Sequence, residues 1–179
     1  MGSMFIIYNN FKNIFLIYIY YKMVKQVGIG CNYHKANEIG LQKAYKSKDY
    51  LYVDNDTMYI AGSQTARDWY DDFTKIPFWG DSRKIKRYED ADQVLKQNPQ
   101  VKNLVSHSLG GSVSLQLEKD NPGKFTTTTY NAPVFDPFAT KPGNRFRFTG
   151  DLVSSYDGGA ITIENFGSPL TLHTYKGFS

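Results

Sequence analysis

The sequence predicts an α/β fold in which a largely parallel sheet is covered by helices. The chain has 179 residues, 41% apolar and 16% aromatic, which is enough buryable surface for one compact core. Short apolar segments rich in β-branched residues alternate with helix-forming segments, and this alternation is typical of parallel sheets. Because charged residues make up only 21%, the composition excludes intrinsic disorder and coiled coil.

The first half of the chain predicts three helical segments and one hairpin. The helical segments are Ala36–Lys46, Ala66–Phe73 and Lys84–Gln97. Two strand-forming segments, Tyr50–Val53 and Met58–Ala61, flank the turn-forming residues Asp54–Asp56 and therefore predict a hairpin.

The second half predicts one helix among four strands. The strands are Val101–Val105, Phe125–Tyr130, Arg145–Phe148 and Ala160–Ile163. The helix covers Ser112–Lys119 and is stopped by the sequence Asn121-Pro122-Gly123. We expect one domain at residues 36–179, preceded by an apolar and basic N-terminal arm at residues 1–35.

The positive charge of the chain is concentrated in its first 50 residues, which include the N-terminal arm. Residues 1–50 hold seven lysines and two acidic residues, whereas residues 51–179 hold 14 basic and 15 acidic groups. A nucleic-acid-binding domain would spread Lys and Arg over a folded face, so no nucleic-acid partner is expected. Two interpretations of the arm stay open: peripheral contact with an anionic membrane, or a solvated basic segment.

The arm predicts neither a membrane span nor a secretion signal. Its uninterrupted apolar stretch, Ile14–Tyr21, is far shorter than the about 20 residues of a spanning helix. No A-x-A-like cleavage site follows it, and the compartment is left open. Cys31 and His34 fall short of the ligands that a structural zinc site needs, so neither a metal nor a cofactor is expected.

A serine lies between the predicted strand Val101–Val105 and the helix that follows it. Ser108 has the small residues Ser106 and Gly110 two positions away on either side. A strand-to-helix turn of this kind, the nucleophile elbow, exposes a serine hydroxyl at the sheet edge, and the helix N-terminus stabilises an oxyanion beside it. Ser108 is therefore the candidate nucleophile.

A nucleophilic serine needs a base, and the chain has three histidines. His173 completes the chain order serine, acid, histidine and is the preferred base. His34 is the alternative base, and His107, inside the elbow, is expected to be structural.

The acid that orients the base must lie between Ser108 and His173 in that order. The candidates are Glu118, Asp120, Asp136, Asp151, Asp157 and Glu164. Asp151 is preferred because it follows the strand Arg145–Phe148, whose end would present the carboxylate at the catalytic edge. Asp157 is the runner-up.

These residues resemble those of class 3 lipases, the fungal triacylglycerol lipase type. Ser106–Gly111 is similar to the G-H-S-L-G-G elbow of that family. Further similarities, covering roughly residues 50 to 176, are Tyr59–Trp69 to F-R-G-[ST] with [DN]-W, Thr129–Pro133 to T-F-G-x-P, Gly150–Val153 to D-x-V, and Leu172–Tyr175 to H-x-Y. The chain departs from the pattern at Ser106, where the family has Gly, and at Ala61, where it has Arg. These departures question the subfamily more than the activity.

The resemblance implies an α/β-hydrolase-type three-layer sandwich in a minimal version without a large cap. It implies that Ser108 attacks an ester carbonyl, that His173 transfers the proton, and that Asp151 orients the imidazole. It also implies an oxyanion hole formed by the backbone N–H groups of Ser63 and Leu109. We therefore expect a serine ester hydrolase of the lipase, phospholipase or carboxylesterase type, acting on acyl esters of lipids.

An aromatic segment precedes the predicted helix Lys84–Gln97. Its candidate substrate-binding residues are Phe73, Ile76, Phe78 and Trp79. The segment fits an acyl pocket, a small mobile lid, or a loop packed on the core. Two other functions stay open for the whole chain: a noncatalytic lipid-binding or interaction module on a hydrolase fold, and an acyltransferase that uses the same triad.

Overall fold

The computed structural model describes residues 32–63, 82–133, 143–155, 157–165, 167 and 169–178. One compact unit spans residues 37–177. Three parts of the sequence analysis lie outside the described residues: the helix predicted at Ala66–Phe73, the residues Phe73, Ile76, Phe78 and Trp79, and most of the N-terminal arm.

Helices and strands alternate along the described chain. The helices are α1 (32–46), α2 (Lys86–Gln97), α3 (Leu109–Asp120) and the short α4 (Pro169–Leu172), and a 3-10 turn covers Ser82–Lys84. The strands are β1 (Leu51–Asp54), β2 (Thr57–Ile60), β3 (Asn103–His107), β4 (Thr126–Tyr130), β5 (Asn144–Phe148) and β6 (Ile161–Ile163).

The six strands form one sheet in the order β1-β2-β3-β4-β5-β6. β1 and β2 form the predicted antiparallel hairpin, in which Asp54 pairs with Thr57. Asn55 lies in the turn at φ 53°, a left-handed conformation that Asn tolerates. All other neighbouring strands are parallel, so their carboxyl ends meet at one edge of the sheet.

One face of the sheet forms the main apolar core. Alternate side chains of a strand point to opposite faces, and Met58 and Leu104 point to the same one. There they pack with Leu95 of α2 and with Val113 and Leu117 of α3. Both helices therefore cover this face.

The opposite face is covered by α1. Gly40 of α1 lies so close to the ring of Tyr59 that a Cβ at position 40 would overlap the ring. Asn37 Nδ2 donates a hydrogen bond to the Tyr130 hydroxyl over 2.9 Å. Helices thus cover both faces of a mostly parallel sheet, which confirms the predicted fold class.

The structure shifts two predicted boundaries at the centre of the sheet. β3 begins at Asn103 rather than Val101, because Val101 N–H bonds the Asn98 carbonyl in a turn and pairing with β2 starts only at Asn103. The helix after it begins at Leu109 rather than Ser112. No helix in the part of the chain that the structure describes has the length and apolar composition of a membrane-spanning segment.

Asp120, at the C-terminal end of α3, connects this helix by hydrogen bonds to α2 and to the 3-10 turn. Its carboxylate accepts two hydrogen bonds from Arg83 (2.9 and 2.5 Å), one from the Tyr88 hydroxyl (2.7 Å) and one from Gln116 Nε2 (2.9 Å). These bonds, with that of Arg83 foremost, lower the pKa of Asp120 to about 2. The carboxylate is therefore stabilised in its ionised form in the folded chain.

Acid should remove this contribution to stability. In the unfolded chain the pKa of Asp120 returns to near 3.8, so its stabilising effect is complete above that pH and is lost as the pH falls toward 2. We expect Asp120→Asn to lower the urea midpoint clearly at pH 6 and about half as much at pH 3. Asp92→Asn, which affects an exposed pair with Lys96, is the matched control with a small effect at both pH values. An equal decrease of the urea midpoint for Asp120→Asn at both pH values would contradict the link between the ionisation of Asp120 and stability.

Candidate active site

Ser108 occupies a strained turn between β3 and α3. Its backbone has φ 53° and ψ −131°, a conformation that non-glycine residues rarely adopt. Its N–H bonds the Tyr130 carbonyl of β4 over 3.0 Å, and its carbonyl accepts the Gly111 N–H over 2.7 Å. The sheet and the helix therefore hold the turn from both sides, in the geometry that the sequence predicts for a nucleophile elbow.

Two glycines let the chain pack tightly around Ser108. A Cβ at Gly62 would lie 2.6 Å from the Ser108 Cβ, so the residues after β2 run directly against the elbow. A Cβ at Gly110 would overlap the Ile60 carbonyl oxygen at the end of β2. A methyl group at either position would push β2 and the elbow apart.

Ser106 shows how the elbow accepts a serine where the lipase pattern has glycine. Its side chain is fully buried, and its Oγ lies 2.6 Å from the Oγ of Ser114 on α3. Ser114 also bonds the Gly111 carbonyl. Because the facing helix residue is another small hydroxyl residue, the extra side chain is accommodated and hydrogen-bonded.

His173 joins Ser108 to Asp151. The Nε2 atom of His173 lies 2.7 Å from Ser108 Oγ, and its Nδ1 atom lies 3.0 Å from Asp151 Oδ1. Ser108 and Asp151 are buried, whereas His173 is partly exposed. The three residues that the sequence nominated as nucleophile, acid and base thus form one continuous hydrogen-bonded chain.

The Asp151 carboxylate lies just beyond β5, at the carboxyl edge of the sheet. Besides His173, it accepts hydrogen bonds from the Ser154 hydroxyl (2.5 Å) and from the N–H groups of Val153 (3.3 Å) and Ser154 (3.2 Å). Burying a carboxylate is costly unless it is hydrogen-bonded in this way. The turn after β5 therefore fixes the oxygen that faces His173.

Asn131 follows β4 and is fully buried. Its Nδ2 donates to the carbonyls of Leu172 (2.9 Å) and Thr174 (2.8 Å), the two residues on either side of His173. Its Oδ1 accepts the Phe148 N–H of β5 over 2.9 Å. The sequence analysis did not nominate Asn131; the available signal was that it stands where the lipase pattern T-F-G-x-P has glycine.

The segment that carries Ser63 lies beyond the strand ladder and is held by side chains. Gly62 N–H donates to the Tyr45 hydroxyl of α1 over 3.1 Å. Arg87 Nη1 of α2 donates to the Ala61 carbonyl over 2.5 Å, and its guanidinium lies 4.4 Å from the centre of the Tyr50 ring. Arg87 thus brings a guanidinium to Ala61, the position where the lipase pattern has arginine in the strand itself.

His107 lies fully buried between Tyr45 and His173. Its Nδ1 is 2.5 Å from the Tyr45 hydroxyl, and its ring centre is 5.0 Å from that of His173. Burial, and secondarily the charge of His173, hold the pKa of His107 well below its ordinary value. His107 is therefore neutral at physiological pH, and its Nε2 has no hydrogen-bond partner among the described residues.

The remaining candidates are not joined to this chain of hydrogen bonds in the described residues. Asp157, the runner-up acid, faces Arg145 at 3.3 Å. His34, the alternative base, lies in α1. Leu109 begins α3 directly after Ser108. Ser63 directly follows Gly62, which packs against Ser108. Asp136 lies outside the described residues.

Comparisons with known proteins give a structural likeness to a lipase. No protein-family model matches the sequence, and no curated protein matches it. A crystal structure of the Lip2 lipase from Yarrowia lipolytica is similar to this chain, with 18% identity and a TM-score of 0.37. The similarity covers 60% of this chain and 54% of that one, so the chain spans about half the length of that structure.

The neutral state of His107 predicts a loss of stability in mild acid. Below the ordinary pKa of 6.5, the unfolded chain takes up a proton at this position that the folded chain refuses, so stability falls as the pH falls. For one group the slope approaches about 1.4 kcal/mol per pH unit. We expect His107→Gln to lose less stability than the wild type between pH 7.5 and pH 5.5 in urea unfolding. Identical pH dependences of the free energy of unfolding in the wild type and in His107→Gln would contradict the neutral state of His107.

Proposed function

We propose that this chain is a serine ester hydrolase that cleaves acyl esters of lipids through Ser108, His173 and Asp151. The observation that carries the proposal is the hydrogen-bonded series Ser108 Oγ, His173 Nε2, His173 Nδ1 and Asp151 Oδ1, with separations of 2.7 and 3.0 Å. Ser108 combines this series with the strained φ of a nucleophile elbow. A hydrogen-bonded base activates a serine for nucleophilic attack, and the strained turn is typical of the nucleophile elbow.

In the acylation step, Ser108 Oγ attacks the ester carbonyl carbon while His173 Nε2 takes the hydroxyl proton. Asp151 keeps the Nδ1 proton of His173 pointed at its own carboxylate and stabilises the imidazolium that forms. When the tetrahedral intermediate collapses, the C–O bond to the alcohol breaks and His173 returns the proton to the leaving oxygen. The products of this step are a free alcohol and an acyl group on Ser108.

Water completes the cycle through the same residues. His173 Nε2 removes a proton from water as the water oxygen attacks the acyl carbon. The bond to Ser108 Oγ then breaks, and the proton returns to that oxygen, which releases the carboxylic acid. We propose that the backbone N–H groups of Leu109 and Ser63 stabilise the oxyanion in both steps. Each such donor contributes roughly 3 to 4 kcal/mol to lowering the barrier.

The substrate class and the setting are part of the proposal. Acyl esters of lipids are proposed because the motifs resemble those of class 3 lipases. The seven lysines within residues 1–50 support peripheral contact with an anionic membrane, where such esters are found. Phe73, Ile76, Phe78 and Trp79 are proposed to contact the acyl chain.

Two other functions are distinguishable from hydrolysis. A noncatalytic lipid-binding module would not need the strained serine or its hydrogen bond to His173. An acyltransferase would use the same acyl-enzyme and pass the acyl group to an alcohol, so product analysis with an added acceptor alcohol separates it from a hydrolase. Hydrolysis is favoured here because water needs no further binding site.

A fluorophosphonate probe tests the nucleophile directly. We expect the probe to label the wild type covalently at Ser108 and to leave Ser108→Ala and His173→Ala unlabelled, because both lack an activated serine. Hydrolysis of p-nitrophenyl esters of increasing chain length should fall to a small residual rate in the same two variants. The preferred chain length would separate an esterase from a lipase.

Ser47→Ala, remote from the elbow in sequence and bonded to Ala44, is the matched control and should be labelled like the wild type. A folded wild type that neither reacts with the probe nor hydrolyses any ester, with and without detergent, would contradict the proposal and favour the noncatalytic module.

The two candidate acids give a second test. Asp151→Asn should lower kcat by about 10⁴-fold at neutral pH, because an amide favours the wrong tautomer of the base. Asp157→Asn is the matched control: it disturbs the ion pair with Arg145 and should lower thermal stability while leaving kcat within about twofold. The measurement is the steady-state kcat of each variant at a temperature below the melting temperatures of both. A larger kcat loss in Asp157→Asn would assign the acid to Asp157.

A further inference from the structure

The base of the proposed reaction lies in a short segment after a four-residue helix. His173 follows α4 (Pro169–Leu172) directly, outside the sheet and outside the long helices. A catalytic base must be held close to its productive geometry, since a 1 Å misplacement can cost about 10²-fold in rate. This segment therefore needs an anchor from a more rigid part of the fold.

We propose that Asn131 is that anchor: a positioning residue that fixes His173 for proton transfer. This inference rests on the proposed function. The Asn131 side chain holds the carbonyls on both sides of His173, at Leu172 and Thr174, with distances of 2.9 and 2.8 Å. The Leu172 carbonyl belongs to the peptide group before His173, and the Thr174 N–H of the peptide group after His173 bonds the same carbonyl over 2.9 Å. The backbone on both sides of His173 is therefore held, and the Cα–Cβ direction of His173 with it.

The same side chain also connects the base to the strand that leads to the acid. Asn131 Oδ1 accepts the Phe148 N–H of β5 over 2.9 Å, and Asp151 N–H in turn bonds the Phe148 carbonyl over 3.2 Å. One amide group thus uses both donors and its acceptor to bridge the base segment and the acid strand. Its backbone N–H is fixed as well, by the Phe146 carbonyl of β5 over 2.8 Å.

The backbone conformation at Asn131 allows the role of the side chain to be tested separately from that of the turn. Asn131 has φ 47°, a left-handed conformation for which glycine is best suited and which Asn and Asp tolerate. The resembling lipase pattern has glycine there, so the amide is an addition of this chain rather than a requirement of the turn. Asn131→Gly therefore removes the three side-chain hydrogen bonds while keeping a backbone that suits the site.

Steady-state kinetics with p-nitrophenyl acetate tests the role. We expect Asn131→Gly to lower kcat about 10- to 100-fold with KM within about twofold, because proton transfer is impaired and substrate contacts are untouched. Asn131→Asp, which tolerates the same φ and keeps the acceptor for Phe148, should also lower kcat, since it loses at least one donor to the base segment. It serves as the second variant should the glycine variant fail to fold.

The decisive measurement is a double-mutant cycle with His173→Ala. If Asn131 acts through His173, Asn131→Gly should change the residual rate of His173→Ala by less than about twofold, because the group that it positions is gone. A purely structural role would slow both backgrounds equally. Asn121→Gly is the matched control: its Nδ2 also bonds a backbone carbonyl, at Leu117 over 2.9 Å, but at the far end of α3. It should lower the melting temperature and leave kcat unchanged.

Two outcomes would overturn the positioning role in an active wild type: a kcat of Asn131→Gly within twofold of the wild type, or an equal loss in the His173→Ala background. An inactive wild type that the fluorophosphonate does not label would instead overturn the proposed function, and the inference with it. The two failures are therefore distinguishable.

Discussion

The structure depends on the close approach of three chain segments at Ser108. A serine at φ 53° costs of order 1–3 kcal/mol and persists only where the surroundings leave no alternative. Here Gly62 and Gly110 remove the side chains that would separate β2 from the elbow, and the Tyr130 carbonyl of β4 holds the Ser108 N–H. The parallel sheet supplies the rigidity, since β2, β3 and β4 end at the same edge. The strain at one residue is thus maintained by the packing of three strands and a helix.

Beyond the ends of the paired strands, side chains rather than neighbouring strands bind the backbone groups. The backbone groups of residues that leave a strand still need partners. Tyr45 from one helical layer and Arg87 from the other bind the segment Ala61–Gly62, and Asn131 binds the segment around His173. Tyr45 and Arg87 come from helices that are packed on the sheet, and Asn131 directly follows β4. The loops at the carboxyl edge of the sheet are therefore positioned by side chains that the sheet and its helices supply.

Local patterns made the architecture and the nominated residues predictable. The hairpin and the strand-to-helix turn at Ser108 follow from neighbouring residues. Chain order pointed to His173, and the end of the predicted strand Arg145–Phe148 pointed to Asp151. The side chains that hold these elements were not predictable, because their partners are distant in sequence: Asn131 bonds residues about forty positions away. The start of β3 was misplaced for the same reason, since it is set by pairing with β2 rather than by the apolar character of Val101.

The imidazoles of His107 and His173 lie side by side at the carboxyl edge of the sheet, and the proposed mechanism needs a different protonation behaviour from each. Under the proposed mechanism His173 must accept a proton from Ser108, and a positive charge 5.0 Å away on His107 would oppose that step. Burial lowers the pKa of His107 and removes this competition, while its Nδ1 remains bonded to the Tyr45 hydroxyl. The same hydroxyl accepts the Gly62 N–H. One buried, neutral pair therefore supports the segment that carries Ser63 and places no positive charge beside His173 that would oppose its protonation.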